Sequence, residues 1–153
     1  MYRTHDNDLG LLYVKNQDKY TFNLDEVRDP NVKYPNQKKN GKIKVNLKGK
    51  NPTDVWQFPK VTSGKNRASK ERTPHPAQFP VAVVDRIIKS ASKVNDIVLD
   101  PFMGSGTTAI VALGLQRQVI GFEIRADYCE IVANRIDDFL RNQELTEAQL
   151  SLF

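Results

Sequence analysis

Apolar residues recur at regular intervals from residue 80 onward and irregularly before it. Val81, Val84, Ile88 and Ala91 repeat at helical spacing, with Val83 and Ile87 widening the stripe, so a helix is expected directly after Pro80. The fixed φ of Pro80 suits a first turn. Asp96-Ile97-Val98-Leu99-Asp100 reads as a short buried strand, and Gly104-Ser105-Gly106 as a tight loop. A helix follows from about Thr107 to Leu113, with Gly114 as its C-terminal stop. Val119-Ile120-Gly121-Phe122-Glu123 is a second strand. Ala126 to about Arg141 forms an amphipathic helix whose core face is Tyr128, Ile131, Val132, Ile136, Phe139 and Leu140, and residues 142–153 are expected to fray. Helix, strand, glycine loop, helix, strand, helix is a βαβ unit with one preceding helix, for which parallel strands and a right-handed crossover are expected. The fold class is therefore α/β, a partial Rossmann-like sheet.

The first half reads differently. Leu11 to Val14 has strand character, followed by a turn at Lys15–Lys19. Residues 25–80 hold seven of the eight prolines and no apolar period, so they are expected to be a long irregular insert stiffened by short strands at Lys42–Leu47 and Asp54–Phe58. The division that results is 1–24 as the end of a sheet, 25–72 as a basic insert, 73–142 as the βαβ unit with its helix, and 143–153 as a tail.

Charge sharpens this division. The net charge is +5, yet residues 31–72 carry twelve Lys or Arg against Asp54 and Glu71, which leaves the rest of the chain acidic. A cationic block on an acidic body points to a polyanion, most often nucleic acid; the competing explanation is a solvated lysine-rich linker. Lys38, Lys39, Lys42, Lys44, Lys48 and Lys50 are the candidate phosphate contacts. Cys129, the only cysteine, is expected to be buried, and it excludes an intrachain disulfide or a cysteine-based zinc site. His5 and His75 are too far apart in sequence to suggest a metal site. No apolar run approaches the roughly 20 residues of a membrane span, and residues 1–20 do not resemble a signal peptide, so a cytoplasmic protein is expected.

The glycine loop carries the chemistry. Glycine allows positive φ and close approach of a ligand, and the helix behind it presents free N–H groups and a partial positive charge. Glu123 ends the next strand, where a carboxylate can accept hydrogen bonds from both ribose hydroxyls. An adenine nucleoside cofactor follows. Gly104, Gly106 and Ala109 fit the NAD fingerprint formally, and S-adenosylmethionine is the other candidate.

The longer motifs favour the second. Asp100-Pro101-Phe102-Met103-Gly104-Ser105-Gly106-Thr107-Thr108 resembles the D-P-F-x-G-S-G-T-T cofactor motif of the amino-methylating DNA methyltransferases. Arg72-Thr73-Pro74-His75-Pro76-Ala77-Gln78-Phe79-Pro80 resembles the H-P-x-x-x-P segment that walls the methionine pocket in that family. Gly49-Lys50-Asn51-Pro52-Thr53-Asp54-Val55-Trp56 is similar to the stretch at the edge of its target-recognition region, and Tyr20 to Asp25 to the lead-in. The order matches the permuted, beta-type group, in which the catalytic motif comes first and the cofactor loop last. The resemblance implies a partial S-adenosylmethionine-dependent methyltransferase fold with a basic insert and double-stranded DNA as partner. It also implies a cofactor site of His75, Pro76, Gln78, Asp100, Pro101, Phe102, Gly104, Ser105, Gly106, Thr107 and Glu123. Cytosine N4 is favoured over adenine N6 because Pro74 to Pro80 is closer to the former group.

One motif of the family is missing. Its members hold the flipped base in a D/N/S-P-P-aromatic loop, whose polar groups accept the amino protons. This sequence contains no Pro-Pro pair; Asp29-Pro30-Asn31-Val32 is the nearest string. No catalytic residue is therefore assigned, and a complementary catalytic half, or a homodimer, is expected as partner. The rival is a non-catalytic DNA-binding remnant of such an enzyme. His75 is given a pocket role in preference to general-base catalysis, Trp56 an anchoring role in preference to base stacking, and Phe102 either cofactor packing or core filling.

Overall fold

The computed structural model describes residues 19–58, 61 and 70–150. The strand expected at Leu11–Val14 lies outside these residues, as do Lys60, Lys65 and Arg67 of the basic block. Among the described residues, seven elements follow a short 3-10 turn at Leu24–Glu26. They are β1 (Lys38–Lys39), β2 (Lys42–Ile43), α1 (Val81–Ala91), β3 (Ile97–Asp100), α2 (Thr107–Gly114), β4 (Gln118–Gly121) and α3 (Ala126–Leu150).

β3 and β4 pair in parallel, with Ile97 opposite Gln118 and Asp100 opposite Gly121. The core lies on one side of this pair. Val84 and Ile88 from α1 meet Val111 and Ala112 from α2, and Val98 and Val119 close the layer from the strands. The other face is uncovered: Ile97 and Leu99 are 60% and 62% exposed, and Ile120 and Phe122 are exposed beside them. Sheets with parallel strands are normally covered on both faces.

Polar side chains secure the ends of these elements. The Glu71 carboxylate accepts from the Val81 N–H at the start of α1 (3.1 Å), and Pro80 stands at its N-cap. At its other end the Asn23 side chain donates to the carbonyls of Lys89 and Ser92 (2.9 and 2.7 Å), meeting acceptors that a helix end leaves unpaired. The end of α2 differs from expectation. Gly114 closes the helix without leaving right-handed space, and Gln116 takes the left-handed position (φ 60°). Gly114 packs beside Phe139, where a Cβ would sit 3.5 Å from the ring, an ordinary contact distance.

Two further expectations are corrected. α3 runs to Leu150, past the fraying expected from residue 142. Cys129 is exposed, with Sγ 3.6 Å from the Glu123 carbonyl. It sits one position beside the stripe of Tyr128, Ile131, Val132, Arg135, Ile136 and Phe139, all half-buried, and Leu140 is exposed at the margin.

In the insert, the strand expected at Lys42–Leu47 is confined to Lys42–Ile43, the second arm of a hairpin. β1 pairs antiparallel with β2, Lys38 against Ile43 and Lys39 against Lys42. Asn40 (φ 52°) and Gly41 (φ 75°) both take left-handed conformations between them, the geometry whose twist matches a two-residue hairpin. The expected strand at Asp54–Phe58 does not form. Local bonds replace a ladder there: the Thr53 hydroxyl donates to the Val55 carbonyl and the Trp56 indole N–H to the Thr53 carbonyl. The base of the insert is tied by a bridge between Asp29 and Lys50.

Candidate functional site

The glycine loop and the end of β4 form one unit. The Met103 N–H donates to the Phe122 carbonyl, and the Phe122 N–H to the Asp100 carbonyl. Asp100 Oδ1 accepts from the Phe102 N–H (3.0 Å), turning the chain out of β3. Gly104 (φ 55°) and Gly106 (φ 77°) are left-handed, so a side chain at either is strained. A Cβ on Gly104 would lie 3.1 Å from His75 Nε2, and one on Gly106 3.0 Å from both methyl carbons of Val132. Gly106 caps α2 without a side-chain partner, which leaves the first-turn amides directed at the loop.

Glu123 spans this loop. Its Oε2 accepts from the Gly104 N–H (2.8 Å) and its Oε1 from the Arg125 N–H (2.9 Å). The Arg125 amide, then the Gly104 and Ile124 amides and the nearby His75, hold the carboxyl below its ordinary range, against a partial opposing effect of burial. A carboxylate has about four acceptor positions, so each oxygen keeps capacity for a further donor. Phe102 is 87% exposed and Ile124 98% exposed on either side. Phe102 is thus no core filler in this chain.

His75 brings the segment before α1 to the loop. Its Nδ1 accepts from the Ala77 N–H (3.2 Å), which places a neutral ring's proton on Nε2, the atom beside Gly104. The ring packs on Tyr128 (centroids 4.5 Å apart), and the Arg125 guanidinium also lies over the Tyr128 ring, 4.6 Å from its centroid. Pro76 is exposed alongside. Gln78 is buried and committed: its Oε1 accepts from the Thr73 N–H and hydroxyl, and its Nε2 donates to the Glu71 carbonyl. It buckles the segment and has little left to offer a ligand. Ser105 and Thr107 are also buried, their hydroxyls 3.4 Å apart, and Pro101 is exposed.

Sequence reasoning missed Arg135. Its guanidinium donates to the Ser105 carbonyl and clamps the loop from α3, and burial pulls its pKa down. The available signal was position, since Arg135 follows Tyr128 and Val132 at helical spacing on the core stripe.

Among the candidate phosphate contacts the structure makes a division. Lys48 Nζ pairs with Asp25 (2.9 Å) and Lys50 Nζ with Asp29 (3.0 Å). Lys38, Lys39, Lys42 and Lys44 are exposed and form no ion pair among the described residues. Trp56 has its N–H bound internally and its ring beneath Arg86, 4.4 Å away, which is an anchoring arrangement. No group able to hold a metal ion, and no helix long and apolar enough to cross a membrane, occurs among the described residues.

Comparison with known proteins gives a concordant result. Residues 2–134 match the N6/N4 methyltransferase family, described as DNA methylase. The chain is 60% identical over 131 residues to the type II methyltransferase M.ScaI of Streptomyces caespitosus, covering 86% of this chain and 43% of that protein. It is 40% identical over 127 residues to the type II methyltransferase M.HpaI of Haemophilus parainfluenzae, covering 83% and 37%. Among solved structures it resembles the M1.HpyAVI–SAM complex, at 36% identity and a TM-score of 0.45, over 56% of this chain and 42% of that one. The chain thus spans less than half the length of these proteins. On a match that runs through the insert and the glycine loop alike, this chain belongs to the N6/N4 DNA methylase family.

Proposed function

We propose that this chain is the cofactor-binding and DNA-recognition portion of a site-specific DNA methyltransferase that uses S-adenosylmethionine and methylates an exocyclic base amine. The observation that carries the reading is Glu123, fixed by the Gly104 and Arg125 amides with acceptor capacity to spare at the mouth of an uncapped helix. The ribose hydroxyls of the cofactor would donate to Glu123, and its carboxylate group would meet the N-terminus of α2, where anions are favoured. Phe102 and Ile124 would flank the adenine, and His75 would close the methionine side above Gly104. Bound there, the cofactor supplies an electrophilic methyl group. The protein's residues orient it and keep the loop rigid: Asp100 turns the chain, Arg135 holds Ser105, and Gln78 stiffens the His75 segment.

The amine has no comparable site. Without a Pro-Pro-aromatic loop the chain holds one reactant, and transfer needs both in near-attack geometry. A complementary catalytic half is therefore required, and the uncovered face of β3 and β4 supports this, as a parallel sheet calls for a second layer. The target is double-stranded DNA, with cytosine N4 favoured over adenine N6 on the strength of Pro74 to Pro80.

Calorimetry tests the cofactor. S-adenosylmethionine and its demethylated product should bind and NAD should not, and Glu123→Ala should weaken binding. Equal affinity in the unaltered chain and the variant removes Glu123 from the site, and binding of NAD alone replaces the reading.

A further inference from the structure

Building on double-stranded DNA as the target, we infer that one face of the β1–β2 hairpin is the phosphate-gripping surface of the insert, and that its opposite face and base are not. Strand register assigns each lysine to a face. Lys39 stands directly opposite Lys42, and the Lys44 N–H donates to the Gln37 carbonyl (2.8 Å), which continues the ladder by one pair. Side chains alternate faces along a strand, so Gln37, Lys39, Lys42 and Lys44 share one face, and Lys38 and Ile43 share the other. Like charges directly opposite each other destabilise a strand pair, yet here three lysines are gathered with no acidic partner among the described residues. The left-handed Asn40-Gly41 turn fixes this register. A polyanion relieves the repulsion, and a two-stranded ribbon has the width to lie in a DNA major groove with its charges against the phosphates. Lys48 and Lys50 are occupied with Asp25 and Asp29 and brace the base of the insert.

The test uses the full chain, co-expressed with its complementing half, and a mixed-sequence duplex titrated across salt concentrations. Each of Lys39→Gln, Lys42→Gln and Lys44→Gln should weaken binding and flatten the logarithmic salt slope by about 0.9. Lys38→Gln should leave the slope nearly unchanged. Lys39→Glu separates a binding role from a structural one, because it sets opposite charges across the ladder. It should slow hydrogen exchange at the Lys44 amide and still weaken DNA binding. The inference is overturned if Lys38→Gln costs as much as Lys39→Gln, or if Lys39→Glu binds DNA as the unaltered chain does. A chain with no salt-dependent binding at all overturns the DNA reading and this inference with it. Salt-dependent binding that is indifferent to the hairpin overturns the inference alone.

Discussion

Replacing Gly106 by alanine probes the loop at its most constrained point. Two costs add there. Alanine in left-handed space is strained by about 1–2 kcal/mol relative to glycine. Its Cβ would also lie 3.0 Å from both methyl carbons of Val132, and overpacking of this kind costs about 1–3 kcal/mol. Neither neighbour moves freely, since Val132 is half-buried on α3 and the Arg135 guanidinium one turn on is bonded to the Ser105 carbonyl. A total of about 2–5 kcal/mol is a large share of the roughly 5–15 kcal/mol that separates a typical folded domain from its unfolded chain. The two parts separate in a double-mutant cycle. In a Val132→Ala background both methyl contacts are removed, only the residue 132 Cβ at 3.3 Å remains, and the φ cost stays, so Gly106→Ala should cost less there, nearer the φ cost of about 1–2 kcal/mol. Urea unfolding of the four proteins measures this. An equal cost in both backgrounds would show that Val132 does not abut the glycine, and no cost in either would refute the left-handed loop.

Four further outcomes are expected. Arg135→Met should destabilise by about 1–3 kcal/mol, since it strips the Ser105 carbonyl of its donor, and thermal unfolding should register the loss. Gly49→Ala should be severe, because its Cβ would fall 2.3 Å from the Asp29 carbonyl oxygen, backbone that no rotamer change relieves. Circular dichroism and proteolysis of residues 25–51 would show whether the Asp29–Lys50 bridge survives. Glu123 has a folded-state pKa below the ordinary 4.5, so its contribution to the loop is complete above that value and is lost as pH falls through the lower folded value. A carboxyl NMR titration should find the Gly104 amide shift following the same depressed midpoint, and an ordinary midpoint would remove those bonds. Ile88→Ala should cost about 2–5 kcal/mol in the same urea assay, as it opens the joint between α1 and α2.

The βαβ half was legible because periodicity there is strong and each boundary has a local cause. Val81 to Ala91, Ile97 to Asp100 and the start of α2 at Thr107 lie where spacing places them. The glycine turn behind β3 was legible for the same reason, whereas β4 runs Gln118–Gly121 and stops two residues short of the end expected at Glu123. What escaped depends on tertiary contacts. The left-handed position after α2 falls on Gln116, two residues past the glycine at the helix end, and Phe139 packs against that glycine. Cys129 is exposed because a lone cysteine's usual burial says nothing about which side of a helical stripe it occupies. Arg135 was passed over because a charged residue on an apolar stripe reads as an interruption, whereas the buried Ser105 carbonyl needs a donor. The first arm of the hairpin, Lys38–Lys39, lies outside the expected strands, although Asn40-Gly41 is a strong two-residue turn signal.

We propose that the chain positions the methyl donor and leaves the amine to another half. A tritiated-methyl transfer assay on mixed-sequence duplex DNA tests it most directly, run with the chain alone and then with a partner carrying a D/N/S-P-P-aromatic motif. No incorporation is expected by the chain alone, and robust incorporation with the partner, mapped to cytosine N4. Robust transfer to a base amine by the chain alone would contradict it.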